Sequence, residues 1–151
     1  MGETAQFILR ELTSDDATAA AELDKKCFGK GDAFSRNYFL YAALNSQAAY
    51  FVAETDGEII ACAGAEIDDD GSAEIESIAV APDYRRQGIG TLILSKLIDT
   101  IKERGAKVIC LEVHTNNTPA INLYKHFGFK IIGSIKNFYS NGDALLMTRK
   151  L

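Results

Sequence analysis

Three features of this sequence have the composition and spacing of working chemistry. The first is Arg85-Arg86-Gln87-Gly88-Ile89-Gly90-Thr91, where two cationic side chains and two glycines stand directly before an apolar run of helical period. The first turn of a helix leaves backbone N–H groups without partners and carries partial positive charge. Glycine lets a backbone approach a ligand closely and arginine adds full charge, so the stretch suits a pyrophosphate. Residue identity excludes two common phosphate patterns. A P-loop needs Lys and then Ser or Thr after its last glycine, where Thr91 and Leu92 stand, and a dinucleotide fingerprint needs a third glycine where Ile93 stands. A glycine turn that merely starts a helix accounts for the same residues.

The second feature is Glu112, a carboxylate near the end of the otherwise apolar run "KVICLEV". Burying it is costly unless it is paired or faces a site; a side chain that simply reaches solvent at the strand end is the alternative. The third is Tyr124, which shares an apolar helix face with Ala120, Ile121 and Phe127. Packing alone explains such a tyrosine, although its hydroxyl, with an ordinary pKa near 10, is also a candidate acid. Cys110 and His114 share the face of Glu112; the first reads as an inert packing residue and the second as a solvated rim. His126 reads as a surface residue at a helix end, and Asp68 to Asp70 as a solvated turn.

These residues need elements to hold them. "FILRE" reads as a strand, and Ser14 and Asp15 as cap residues for a helix through "DATAAAELDKKCF". A second helix is expected from Ser35 through "RNYFLYAAL". "AYFVAET", the Asp56-Gly57 turn, "EIIACAGAEI", Asp70-Gly71 and "AEIESIAV" form an antiparallel meander. From Ile89, the positions Leu92, Ile93, Leu97, Ile98 and Ile101 have helical spacing, with Gly105 just beyond the helix end. "KVICLEV" reads as a strand covered on both faces, Thr118 as the cap of a short helix with Pro119 at its first position, and "FKIIGSIKNFY" and "DALLMTRKL" as the last two strands. "AEIESIAV", the glycine turn, the long helix and "KVICLEV" make a βαβ unit, whose strands are parallel and whose ligands favour their carboxyl ends.

Composition bounds the rest. With 151 residues, 47% of them hydrophobic and 25% charged, the chain is expected to form one domain, residues 1–151, of α/β (α+β) class. A net charge of −5 argues against a nucleic-acid partner, which needs a basic stripe, and suits a cationic substrate. The start "MGETAQFILR" shows no targeting pattern, and no apolar run reaches the roughly 18 residues of a membrane span. Cys27, Cys62 and Cys110 are odd in number and set among apolar residues. Free thiols in a reducing cytoplasm are therefore expected, with no metal site, since His114 and His126 are the only histidines.

"IAVAPDYRRQGIGTLIL", with Arg85-x-x-Gly88-x-Gly90, followed by "LEVHTNNTPAINLYKHFGF", resembles the GCN5-related N-acetyltransferases, and within them the RimI-type enzymes that acetylate the N-terminal alanine of a ribosomal protein. The likeness runs from about Ile78 to the C-terminus, through "NFY" at Asn137 to Tyr139 and "DALLMTRKL", and is weaker before Glu74. It implies a mixed, mostly antiparallel sheet of about seven strands with about four helices, and acetyl-CoA as cosubstrate. It further implies that Ile78, Ala79 and Val80 offer main-chain groups to the pantetheine arm, that Arg85, Arg86, Gln87, Gly88, Ile89, Gly90 and Thr91 hold the pyrophosphate, and that Asn117 contacts the cosubstrate. Glu112 becomes the proton acceptor and Tyr124 the proton donor to the departing thiolate. A splay between "AEIESIAV" and "KVICLEV", with a backbone N–H near Val80 to hold the oxyanion, belongs to the same implication.

The acceptor is the open part. RimI relatives carry a Pro-Trp-Ser segment before the second helix, whereas this chain has "GDAFS" at Gly31 to Ser35 and no tryptophan. An α-amine, with a pKa of about 7.7 to 8.0, is roughly one tenth unprotonated at neutral pH, against well under a thousandth of a lysine side chain, and so suits one modest base. A peptide or protein N-terminus, with a ribosomal protein first, is the expected acceptor. A lysine or small-molecule amine, or a non-catalytic acyl-CoA-binding module, is the alternative.

Overall fold

The computed structural model describes residues 6–151; the part of the N-terminal reading that rests on residues 1–5 lies outside them. Seven strands form one sheet in the order β1-β2-β3-β4-β5-β7-β6. They are β1 (Ile8–Glu11), β2 (Ala48–Thr55), β3 (Glu58–Ile67), β4 (Ser72–Val80), β5 (Val108–His114), β6 (Lys130–Tyr139) and β7 (Gly142–Lys150). The four α-helices are α1 (Ala17–Phe28), α2 (Arg36–Leu44), α3 (Ile89–Glu103) and α4 (Thr118–His126). Every neighbouring pair of strands is antiparallel except β4 and β5, the pair joined through α3. That is the mixed sheet of the sequence reading.

Each face of the sheet has its own core. On one, Ile89, Ile93, Leu94, Leu97, Ile98 and Ile101 of α3, with Ile121 and Tyr124 of α4, pack on Phe51, Ile60, Ile75, Ile109, Leu111 and Met147. On the other, Ala17, Ala20 and Leu23 of α1 and Phe39 and Ala42 of α2 pack on Tyr50, Val52, Cys62 and Ala79. Leu92, placed by its spacing on the buried stripe of α3, is instead 52% exposed, because the stripe passes through Leu94. The entry to α1 is fixed by Asp16, which accepts from the Thr13 amide at 2.7 Å and forms an ion pair with Arg10 at 2.7 Å. A single 3-10 turn, Ser14–Asp16, therefore occupies the positions of the expected cap residues Ser14 and Asp15, and the helix begins at Ala17.

Strand β5 differs from its expected two-sided burial. Ile109, Leu111 and Val113 are buried, whereas Val108, Cys110, Glu112 and His114 are half-exposed. The contacts of α1 and α2 with the sheet fall on β2, β3 and β4, which leaves this face of β5 uncovered by helix.

One irregularity in β4 positions the site. Ala65 pairs with Ile75 and Gly64 with Ser77, so Glu76 is an extra residue, a β-bulge. Side chains alternate along a strand, and an added residue inverts the alternation. Before the bulge, Ala73 and Ile75 face the α3 core; after it, Ser77 and Ala79 face α1, and Ile78 and Val80 pack toward α3. The parallel pairing with β5 ends there too, its last pair being Ile75 with Leu111, although β4 continues to Val80 and β5 to His114. Beyond Ile75 the two strands part.

Candidate active site

The parting of β4 and β5 leaves main-chain groups unpaired. Ala81 donates to the Ile60 carbonyl at 2.8 Å, and in an antiparallel ladder such bonded pairs recur at every second residue. Cys62 and Ala79 therefore form the next bonded pair, and the amides and carbonyls of Ile78 and Val80 point away from β3, into the gap. This corrects the expectation for Ala79, whose main-chain groups are taken by the sheet. The Val80 carbonyl receives the Arg85 guanidinium (Nε at 3.0 Å) and lies 3.5 Å from the Cys27 thiol.

At the end of the gap lies the glycine turn. Gly88, with φ +81°, is the N-cap of α3, and Arg86 also has positive φ, at +64°. The first helical bond runs from the Leu92 amide to the Gly88 carbonyl, and the amides of Arg86, Gln87, Gly88, Ile89, Gly90 and Thr91 donate to no group among the described residues. Six successive free amides at a helix N-terminus, with left-handed residues interspersed, form a concave anion cradle. The Ile89 side chain is buried in the α3 core, so this residue offers only its backbone. Arg86 and Gln87 are exposed. A pyrophosphate fits these groups.

Asn117 has a structural task as well. Its Oδ1 accepts from the Ala120 amide at 3.3 Å, so Asn117, and not Thr118, caps α4.

Glu112 lies near the open end of β5, on the face shared with Cys110 and His114. Its carboxyl is pushed up to about 7, first by burial, then by the neighbouring carboxyl of Glu74, with Glu76 adding less. Tyr139, at the end of β6, donates its hydroxyl to the Glu112 carbonyl at 3.2 Å and stacks on His114 with centroids 5.3 Å apart. Tyr124 is buried, with its ring edge-on to Phe129, and burial, assisted by Tyr139, raises its phenol above the ordinary range. The surroundings therefore make Tyr124 a weaker acid than a free phenol. Tyr139 thus ties the end of β6 to Glu112, the first residue of β5 past its last pairing with β4.

The rim includes residues that the sequence reading did not single out. The segment between α1 and α2 is tied across 108 residues of sequence to the β6–β7 turn, where Asp32 accepts from the Ser140 amide at 3.0 Å and from its hydroxyl at 2.8 Å. These bonds and the nearby His114 hold the Asp32 carboxyl below its usual range. His114 accepts the Asn116 amide at Nδ1 (3.0 Å), which leaves Nε2 as donor to Asn141 Oδ1 at 3.0 Å. His114 thus braces the same turn, consistent with a rim position. Asp24, in α1, is 2% exposed and accepts from the Phe34 amide at 2.7 Å and the Ser77 hydroxyl at 3.0 Å, joining the loop before α2 to the bulge of β4. The spacing Ala17, Ala20, Asp24 places that carboxylate on the buried stripe of α1, a signal the sequence did carry.

A seven-stranded mixed sheet that parts at its parallel pair, with an anion cradle at one end of the gap and a carboxyl poised near neutrality at the other, is the architecture of an N-acetyltransferase. Residues 12–129 match the model of the Acetyltransferase (GNAT) family, and the chain belongs to it. An N-alpha-acetyltransferase of Sulfurisphaera tokodaii is 39% identical over 128 residues, 76% of this chain and 77% of the relative. A Bacillus subtilis protein assigned provisionally as a ribosomal protein bS18-alanine N-acetyltransferase is 34% identical over 142 residues, 92% of each chain. The crystal structure of the Escherichia coli ribosomal-protein-S18-alanine N-acetyltransferase superposes with a TM-score of 0.86 at 29% identity, covering 96% of this chain and 94% of that one.

Proposed function

We propose that this N-acetyltransferase moves the acetyl group of acetyl-CoA to the N-terminal α-amine of a peptide or protein, with a ribosomal protein as the first candidate. The observation that carries the reading is the placement of Glu112, near neutrality, where β4 and β5 begin to part, in the gap whose other end is the free-amide turn. The relatives named for α-amine and alanine N-acetylation support the acceptor class.

The amides of residues Arg86 to Thr91, with Arg86 and a released Arg85 side chain, hold the pyrophosphate. The main chain of Ile78 and Val80 orders the pantetheine arm along β4, and an amide facing the gap steadies the negative charge that builds on the thioester oxygen. Glu112, when ionised, accepts the proton that the amine loses on attack. Tyr124 donates a hydrogen bond to the sulfur as the carbon–sulfur bond breaks; its raised pKa makes it a donor to a developing thiolate rather than a free acid. No side chain carries the acetyl group in this route. Asn117, held as a helix cap, contributes by placing the start of α4 beside the gap.

A mixed panel of acceptors, read by mass spectrometry for the acetylated position, tests the acceptor. Peptides with a small free N-terminal residue such as alanine or serine should be acetylated in preference to internal lysines and polyamines. Acetyl groups on lysines or small amines, with free N-termini untouched, would remove the α-amine reading.

A further inference from the structure

The face of the sheet that carries Glu112 carries two more carboxylates. In the parallel pairing Glu74 stands opposite Cys110, so Glu112 lies one step further along the same face, and the bulge sets Glu76 next to the point where the strands part. None of the three has an ion-pair partner: among the described residues the ion pairs are those of Arg10 with Asp16 and with Glu54. We propose that Glu74 is a positioning residue for acetyl transfer, its carboxyl lying against that of Glu112 so that the two share one hydrogen and Glu112 is kept a strong base. The proposal rests on Glu112 as the proton acceptor.

Every other group around the pair leaves this role to Glu74. From β4, Glu76 is occupied by the Tyr50 hydroxyl at 3.4 Å, itself 2.6 Å from that of Tyr38. On β5, Cys110 lies 3.6 Å from the Thr148 hydroxyl of β7, and His114 is held by Asn116 and Asn141. From β6, Tyr139 binds the Glu112 main chain and not its carboxyl. Asp32, in the loop before α2, is turned to Ser140. The lysines nearest in register are Lys130, opposite Thr148, and Lys150, opposite Val108, and neither forms an ion pair with Glu112. Two adjacent carboxylates that lack a cation cannot both ionise readily, so one holds a proton that the other would otherwise lose. A base poised near the working pH combines a useful ionised fraction with proton affinity, the combination that general-base catalysis rewards.

The test replaces Glu74 by Gln and, separately, by Ala; the residue is exposed, so the fold should tolerate both. In protein carrying 13C-labelled Glu carboxyls, the resonance absent from Glu112→Gln should titrate near pH 7 in the parent, as the position of Glu112 implies. It should fall by about one unit or more in both Glu74 variants. With an acceptor amine too weakly basic to protonate over the range used, the acid limb of kcat/KM should move down by the same amount, and the plateau should drop as the base weakens. A purely structural Glu74 would lower the rate at every pH and leave the limb in place. An unmoved resonance in both variants overturns the pairing. If the resonance moves but Glu112→Gln retains full activity, Glu112 is not the base, and Glu74 loses its part in catalysis.

Discussion

Replacing Gly90 by Ala should change stability and cosubstrate affinity in opposite directions. Gly90 is the second residue of α3 and, unlike Gly88, does not have positive φ. A Cβ there would meet Leu123 Cδ2 and Val80 Cγ2 at 3.7 Å each, ordinary contacts that require no repacking. Ala in place of Gly within a helix gains up to about 1 kcal/mol, so the free protein should be as stable as the parent or slightly more so. The added carbon, however, lies between α4 and the end of β4, where the cradle meets the gap. Losing one charge-assisted hydrogen bond to the pyrophosphate costs about 1.5–3 kcal/mol, or roughly 10- to 150-fold in Kd. At a ligand concentration 100 times the parent Kd, binding stabilises the parent by about 2.7 kcal/mol, and a variant with 100-fold weaker affinity by only about 0.4 kcal/mol. Calorimetric titration with acetyl-CoA, and thermal unfolding with and without it, read both quantities. Gly88→Ala serves as the contrast: its Cβ meets nothing within 4 Å, but φ of +81° strains any side chain, so this variant should lose stability. A folded Gly90→Ala and a folded Gly90→Val that both bind acetyl-CoA with parental affinity would refute the cradle.

Two further outcomes are expected. Tyr124→Phe should slow turnover while leaving acetyl-CoA affinity largely intact, and the penalty measured across acyl donors should shrink as the leaving thiol becomes more acidic. Asp16→Asn should cost about 1–3 kcal/mol near neutrality, measured by denaturant unfolding, because a charged acceptor for Arg10 and the Thr13 amide is lost. The Arg10 bond, and then those from Thr13, hold Asp16 below its ordinary pKa despite burial. Its contribution is therefore present above the unfolded value of about 3.9 and fades as the pH falls through the lower folded one, so the parent and the variant should converge in acid.

The cradle was legible because its residues are consecutive: charge, glycine and helix start are all visible in one stretch. The elements were legible for a related reason, since turn dipeptides such as Asp56-Gly57 and Asp70-Gly71 and the period of α3 are local signals. Glu112 stood out as a carboxylate in an apolar run, but its partner could not, because Glu74 and Glu112 meet only through a parallel pairing that brings together residues 38 apart in sequence. Asp32 and Ser140 are separated still further. The burial of β5 was misjudged on composition alone: an apolar strand does not reveal where the helices beside it stop. Leu92 illustrates a subtler limit, since several helical stripes can be drawn through a run as apolar as "GIGTLILSKLI", and tertiary contact selects one of them.

The bulge at Glu76 sets where this chain can absorb a change in length. Removing Glu76 itself would restore regular pairing with β3 and leave every later side chain of β4 on its present face, because Ser77 would then follow Ile75 in plain alternation. Removing one residue between Ser77 and Val80 has no such compensation: the side chains beyond the cut would exchange faces, setting small and large residues against the wrong helices, and the main-chain groups that face the gap would belong to other residues. In a library of single-codon deletions, folded survivors should therefore recur at Glu76 and at the exposed turn of residues 68–70 and be missing across residues 77–80, a pattern set by the parity of residue count and not by the chemistry of any one side chain.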